Sequence, residues 1–171
     1  EFRRVLFRSR VVMTDINPDM LACGRARLLD QGVGSNVQLL LADAESLPFA
    51  PGQFHCVSIA FGLRNVTRIP AALSSMVRML RPGGRVMILE FSTPTSALWA
   101  KAYDLFSFSV IPALGRVVTG DEGSYRYLVE SIRRHPDQET LANMMSDAGL
   151  EDVSYQNIQG GIVAIHTGFR Y

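Results

Sequence analysis

An α/β fold built on a mostly parallel sheet is predicted by two features of this 171-residue sequence. Short apolar runs that stop at acidic or polar residues alternate with segments of helical period, the pattern of strands covered by helices. Two last apolar runs meet at Gly160-Gly161, which predicts a C-terminal antiparallel hairpin. The length suits one domain with a real core.

The first ten residues carry four Arg and one Glu without periodicity, and read as a foreign or disordered leader; residues 11–171 read as the domain. Val11 to Asp15 is a brief strand ending in a carboxylate. Asn17-Pro18 supplies a helix cap and a proline at the first helical position, with Leu21, Ala26 and Leu28 available for a buried face and Gly32 and Gly34 as the stop. Val37 to Ala42 is a second strand, halted at Asp43, and Leu47 to Gly52 is a turn segment. Phe54 to Phe61 is the third and longest strand. Leu73, Met76, Val77 and Leu80 mark one face of a helix over 69–80. Arg81-Pro82-Gly83-Gly84 stops it and turns the chain into the strand Arg85 to Phe91. Residues 95–134 hold the single Trp, Phe106 and Phe108 without a clean strand pattern, and are expected to form a helical cap over one end of the sheet. Asp137 caps a helix whose face is Leu141, Met144, Met145 and Ala148, ended by Gly149. The hairpin strands fall near 151–158 and 162–168.

Composition excludes several function classes. With 47% hydrophobic and 19% charged residues, disordered and fibrous chains are out. The net charge of +1 gives no broad field for nucleic acid, so no nucleic-acid partner is expected. Cys23 and Cys56 lack metal-ligand spacing and neighbouring His, so no metal is expected; both read as small buried residues in a reducing compartment. No apolar run approaches the ~18 residues needed to span a bilayer.

Ligands of open parallel sheets bind beyond the carboxyl ends of the strands, and three features fall there. Asp15 can accept both hydroxyls of a ribose; alternatively it caps the following turn. Asp43 can accept from the exocyclic amine of adenine, with Ala44 small enough to let the ring approach; alternatively Asp43 is a turn residue. Arg64 and Asn65, just after the longest strand, are candidates to face a substrate, against the alternative that Arg64 pairs with a surface carboxylate.

Asp15, Asp43-Ala44-Glu45, Leu47-Pro48-Phe49, Phe61-Gly62-Leu63-Arg64-Asn65-Val66, Leu80 to Arg85 and Leu89-Glu90-Phe91 resemble the class I S-adenosylmethionine (SAM)-dependent methyltransferases, with their Rossmann-like sheet. With Lys101 to Asp104, Asp121 to Leu128, Glu130 to Arg133 and His135 to Gln138, the chain more narrowly resembles the ubiquinone/menaquinone biosynthesis C-methyltransferase family over residues 11–171. The family's earlier strand and glycine-rich loop have no counterpart before Asp15, so weak or absent SAM binding is expected. At Ala60 many relatives carry a small hydroxyl residue.

The resemblance implies methyl transfer from SAM to a ring carbon of a polyprenylated benzoquinol or naphthoquinol. Arg64 then stabilises the phenolate and Asn65 orients the ring, with Asp104 and His135 as weaker candidates for the proton acceptor. The aromatic stretch from Trp99 to Phe108 is available to cover an isoprenoid tail or simply to pack the core. A bilayer-dissolved substrate implies a cytoplasmic protein that visits the membrane surface, on the matrix face if mitochondrial, as a homo-oligomer or in a biosynthetic complex. Two other readings stand beside this one: a non-catalytic binding module related to methyltransferases, and a nicotinamide-dependent dehydrogenase using Asp15 on a ribose.

Overall fold

The computed structural model describes residues 10–33, 36–96 and 122–171. The chain divides into two compact units, residues 1–48 and 49–171.

In the first unit, β1 (Val11–Asp15) and β2 (Val37–Leu41) form a parallel ladder running in register from Val11↔Val37 to Asp15↔Leu41. Helix α1 (Pro18–Asp30) connects them. Its start is fixed locally: the Asn17 side chain accepts from the Asp19 and Met20 amides, and Pro18 has no amide to leave orphaned. Leu21 and Leu28 are half-buried as expected, but Ala26 is exposed. Five residues beyond Leu21 is about 140° round a helix that turns by about 100° per residue, which takes Ala26 off that face. Cys23 is likewise exposed, since two residues after Leu21 lies on the opposite side. Gly32, at φ +63°, follows the helix; Gly34 lies outside the described residues.

The second unit is a four-stranded sheet in the order β3-β4-β6-β5. β3 (Phe54–Ala60) and β4 (Leu80–Phe91) are parallel, while β6 (Val163–Arg170) runs antiparallel to both β4 and β5 (Glu151–Ile158). The parallel-then-hairpin sheet read from the sequence is therefore present. Phe61 has left β3 and sits at φ +52°. Cys56 is exposed, contrary to expectation, because Val57 and Ile59 take the inward positions and side chains alternate along a strand.

Helix α2 (Ile69–Met79) buries Ala72, Leu73, Met76 and Val77, the face its period predicts. The expected stop is sharper than a helix followed by a loop: Leu80 already pairs with Phe54, and the next rung joins Cys56 to Arg85. Arg81-Pro82-Gly83-Gly84 is thus a bulge within β4. Arg170 Nη1 closes the helix end by donating to the carbonyls of Val77 (3.1 Å), Arg78 (3.1 Å) and Leu80 (2.6 Å). The two glycines of the bulge do different jobs. Gly83 sits at φ +77° in open space, whereas a Cβ on Gly84 would stand 2.8 Å from the Arg81 carbonyl oxygen and 3.1 Å from that of Phe54. Gly83→Ala is expected to cost roughly 1 kcal/mol of backbone strain, and Gly84→Ala roughly 1–3 kcal/mol because backbone crowds it from two directions. Urea unfolding of the two variants ranks them, and equal midpoints would contradict the assignment.

One sheet face carries the core: Val86, Ile88 and Glu90 of β4 stand in register with Gly168, His166 and Ala164 of β6, all buried. Helix α3 (Glu122–Arg134) is the described end of the expected cap; residues 97–121, including Trp99 to Phe108, lie outside the described residues. Helix α4 (Gln138–Asp147) begins where Asp137 accepts from the Thr140 amide at 2.8 Å, and buries Leu141 and Met145. The hairpin turns at Gln159–Gly161, with Gly160 at φ +68° and Gly161 at φ +91°. Among the described residues no helix is long and apolar enough to cross a membrane.

Candidate active site

In the first unit the two strand-end carboxylates share a rim. Asp15 is the last residue of β1, opposite Leu41, and its carbonyl accepts from the Ala42 amide at 3.0 Å. Asp43 therefore follows directly on the neighbouring parallel strand. Asp15 Oδ1 accepts from the Asn17 amide at 2.8 Å, and Asp43 Oδ1 accepts from the Glu45 amide at 2.9 Å. Both turn-capping readings are thus realised, and they do not exhaust the groups. Oδ2 of each carboxylate has no hydrogen-bond partner among the described residues, so each turn orients an acceptor instead of consuming it. Half-buried Ala44 opens the short turn Ala44–Ser46 that Asp43 caps.

In the second unit the chain after β3 folds into a single turn, Leu63–Asn65, with Leu63 buried as its plug. Arg64 does not stand free. Its Nη1 lies 3.0 Å from Glu90 Oε1, an ion pair with the two side chains 12% and 2% exposed, and it also donates to the Phe61 carbonyl. The Arg64 amide donates to Glu90 Oε2 at 3.3 Å. The partner carboxylate is therefore buried and at a strand end, not on the surface. The guanidinium also rests 5.5 Å from the centre of the Phe91 ring, which packs at 5.0 Å against Phe61. Arg64 Nε is buried without a partner among the described residues. Asn65 is exposed, and its Oδ1 accepts from the Tyr127 hydroxyl at 3.1 Å, which leaves Nδ2 as the amide's donor.

His135 closes α3, its amide donating to the Ser131 and Ile132 carbonyls. Both ring nitrogens are buried without a partner among the described residues. Burial holds its pKa below the ordinary value, opposed by the Glu90 carboxylate and reinforced by the positive charges that His166 and Arg64 can carry. His166 is held low by burial too, although Nε2 lies 2.9 Å from the Gln138 carbonyl. Unfolded chains take up protons at these rings near pH 6.5 while the native rings stay neutral, so this stability is present above that pH and lost as pH falls through the lowered native values. Urea midpoints are expected to fall between pH 7.5 and about 5.5, above the carboxylate range; a flat profile would contradict the neutral buried pair. Asp104 lies outside the described residues.

The fold and these residues meet in the comparison with known proteins. The model of the ubiE/COQ5 methyltransferase family matches residues 2–170. The chain belongs to that family. It is 56% identical over 171 residues to the ubiquinone/menaquinone biosynthesis C-methyltransferase UbiE of Pseudomonas paraeruginosa, covering 99% of this chain and 67% of the relative. To UbiE of Stutzerimonas stutzeri it is 58% identical over 160 residues, covering 94% and 62%. The chain thus spans about two thirds or less of the length of these curated relatives. Its fold matches a SAM-dependent methyltransferase from Aquifex aeolicus at TM-score 0.64, with 12% identity over 95% of this chain and 69% of the other. It matches the cyclase SpnF at TM-score 0.70, with 13% identity over 99% and 69%. Such identities show the class I methyltransferase fold alone, and a fold does not fix a chemistry. Membership of the ubiE/COQ5 family weighs against the dehydrogenase reading.

Sequence reasoning missed the central role of Glu90. The signal was there: Glu90 ends an apolar run just as Asp15 and Asp43 do. The bond from Tyr127 to Asn65 crosses 62 positions, and no local pattern announces it.

Proposed function

We propose that the protein serves SAM-dependent C-methylation of a polyprenylated benzoquinol or naphthoquinol ring, in ubiquinone or menaquinone biosynthesis. The observation that carries this reading is the pair of carboxylates at adjoining strand ends in a chain of the ubiE/COQ5 family. Their chemistry fits the group: Asp15 offers acceptors for ribose hydroxyls, Asp43 an acceptor for the adenine amine, and Ala44 leaves room beside it. When bound, SAM supplies a methyl group activated on a sulfonium.

The remaining work is to make a ring carbon nucleophilic and to hold it in line, largely a positioning problem. A quinol hydroxyl that gives up its proton to solvent water leaves a phenolate, which delocalises charge onto the ring carbon beside it. As that carbon takes the methyl group, S-adenosylhomocysteine leaves, and the carbon's own proton then passes to water to restore the ring. Arg64 stabilises that phenolate by a charge-assisted hydrogen bond, and Asn65 Nδ2 donates to a ring oxygen and sets the ring's orientation. Because the substrate's tail resides in a bilayer, the protein works at a membrane surface from the cytoplasmic side. Incubation with SAM labelled in its methyl group and short-tailed benzoquinol or naphthoquinol in vesicles tests the reading. Label on the ring carbon supports it; label on neither quinol would overturn it. Flotation with the vesicles tests the membrane contact.

A further inference from the structure

The sheet face that carries Glu90 is otherwise apolar along β4, where Val86 and Ile88 are fully buried. A carboxylate 1% exposed in that row adds nothing to hydrophobic burial and is costly to desolvate. Its bonds show what it holds. Oε2 accepts from the Arg64 amide, and Oε1 accepts from Arg64 Nη1 and from the Phe91 amide at 2.9 Å. Two of the three bonds thus tie strand β4 to the single turn that carries Arg64 and Asn65. That turn follows Phe61, which sits at φ +52°, a conformation a bulky side chain adopts only under constraint.

We propose that Glu90 is a positioning residue: it clamps the Leu63–Asn65 turn by backbone and side chain together, so that the Arg64 charge and the Asn65 amide are presented in one fixed arrangement. The inference rests on the methyl-transfer reading for its kinetic consequence, but the clamp itself does not. Glu90 is too buried and too fully bonded to take the substrate's proton itself. Its carboxylate acts through Arg64.

Glu90→Gln tests the clamp. The amide keeps an acceptor for Nη1 but sets an NH2 against the Arg64 amide and leaves the guanidinium without its counter-charge. The expected result is a fall in kcat of roughly 10- to 100-fold, the scale of a small misplacement of reacting groups. KM for SAM should stay within about twofold, since Asp15 and Asp43 are untouched. Amide hydrogen exchange at residues 62–66 should accelerate while that of α4 does not. Glu90→Asp, which keeps the charge on a shorter arm, should restore part of both and serves if the Gln variant does not fold. Unchanged kcat, or a fall in kcat with exchange at 62–66 unaltered, would overturn the proposal. Should the wild-type protein methylate neither quinol, the exchange measurement still decides the clamp separately from the reaction.

Discussion

Replacing Arg64 with alanine will lower the unfolding free energy by about 3–5 kcal/mol, the usual cost of stranding a buried charge without its partner. The stranded group is Glu90, whose side chain is 2% exposed and whose bonds to Arg64 Nη1 and the Arg64 amide anchor the turn after β3. Alanine keeps the amide but removes the guanidinium, so the carboxylate loses its only charged hydrogen-bond partner among the described residues. The double variant Arg64→Met, Glu90→Leu removes both charges and should regain most of the loss, because a well-packed apolar pair often matches a buried ion pair. Urea unfolding at pH 7.5 measures both variants; a single variant within about 0.5 kcal/mol of wild type would show that the pair is effectively solvated. The result bears on chemistry as well. Lost methyl transfer in the alanine variant reports misfolding and catalysis together, whereas Arg64→Lys keeps the charge while giving up the two-pronged fork.

Asp15→Asn should weaken SAM binding by about 10- to 150-fold, the equivalent of losing about 1.5–3 kcal/mol in hydrogen bonds to a charged acceptor. Asparagine still caps the turn at the Asn17 amide through its carbonyl oxygen, so the fold of the first unit should survive. Its other terminus becomes an NH2, which donates and cannot accept from a ribose hydroxyl. Titration calorimetry on wild type and variant, at SAM concentrations high enough to measure the weak wild-type binding expected from the sequence, gives the ratio, and circular dichroism checks the fold. Equal affinities would remove Asp15 from the cofactor site. Asp43→Asn is the natural companion, and its smaller expected loss reflects a single amine contact.

How much of this was readable beforehand depends on the range of the forces involved. The strand ends, the Asn17 and Asp137 caps, the α2 face and the Gly160-Gly161 turn were all legible, because each depends on neighbours within a few residues. The misreadings came where local pattern meets packing. Ala26, Cys23 and Cys56 are apolar or small, but their places on α1 and β3 turn them outward. Arg81 to Gly84 reads as a helix stop and is one, yet only pairing across Phe54 and Cys56 makes it a bulge inside a strand. For the candidate site, Asp15 and Asp43 were found by position at strand ends, and so were Arg64 and Asn65. What each side chain touches there was not legible.

By itself, then, the sequence determined the alternation of strands and helices, the C-terminal hairpin and the strand-end residues, since these are written in spacing and local chemistry, while the family came from the likeness of its motifs to those of known proteins. Tertiary structure alone decided that Asp15 and Asp43 stand on one rim, that Arg64 pairs with Glu90 across 26 positions, and that Tyr127 reaches Asn65. Those contacts depend on strand register and on which face a buried charge must share with its counter-charge, and register is fixed only when the whole sheet assembles.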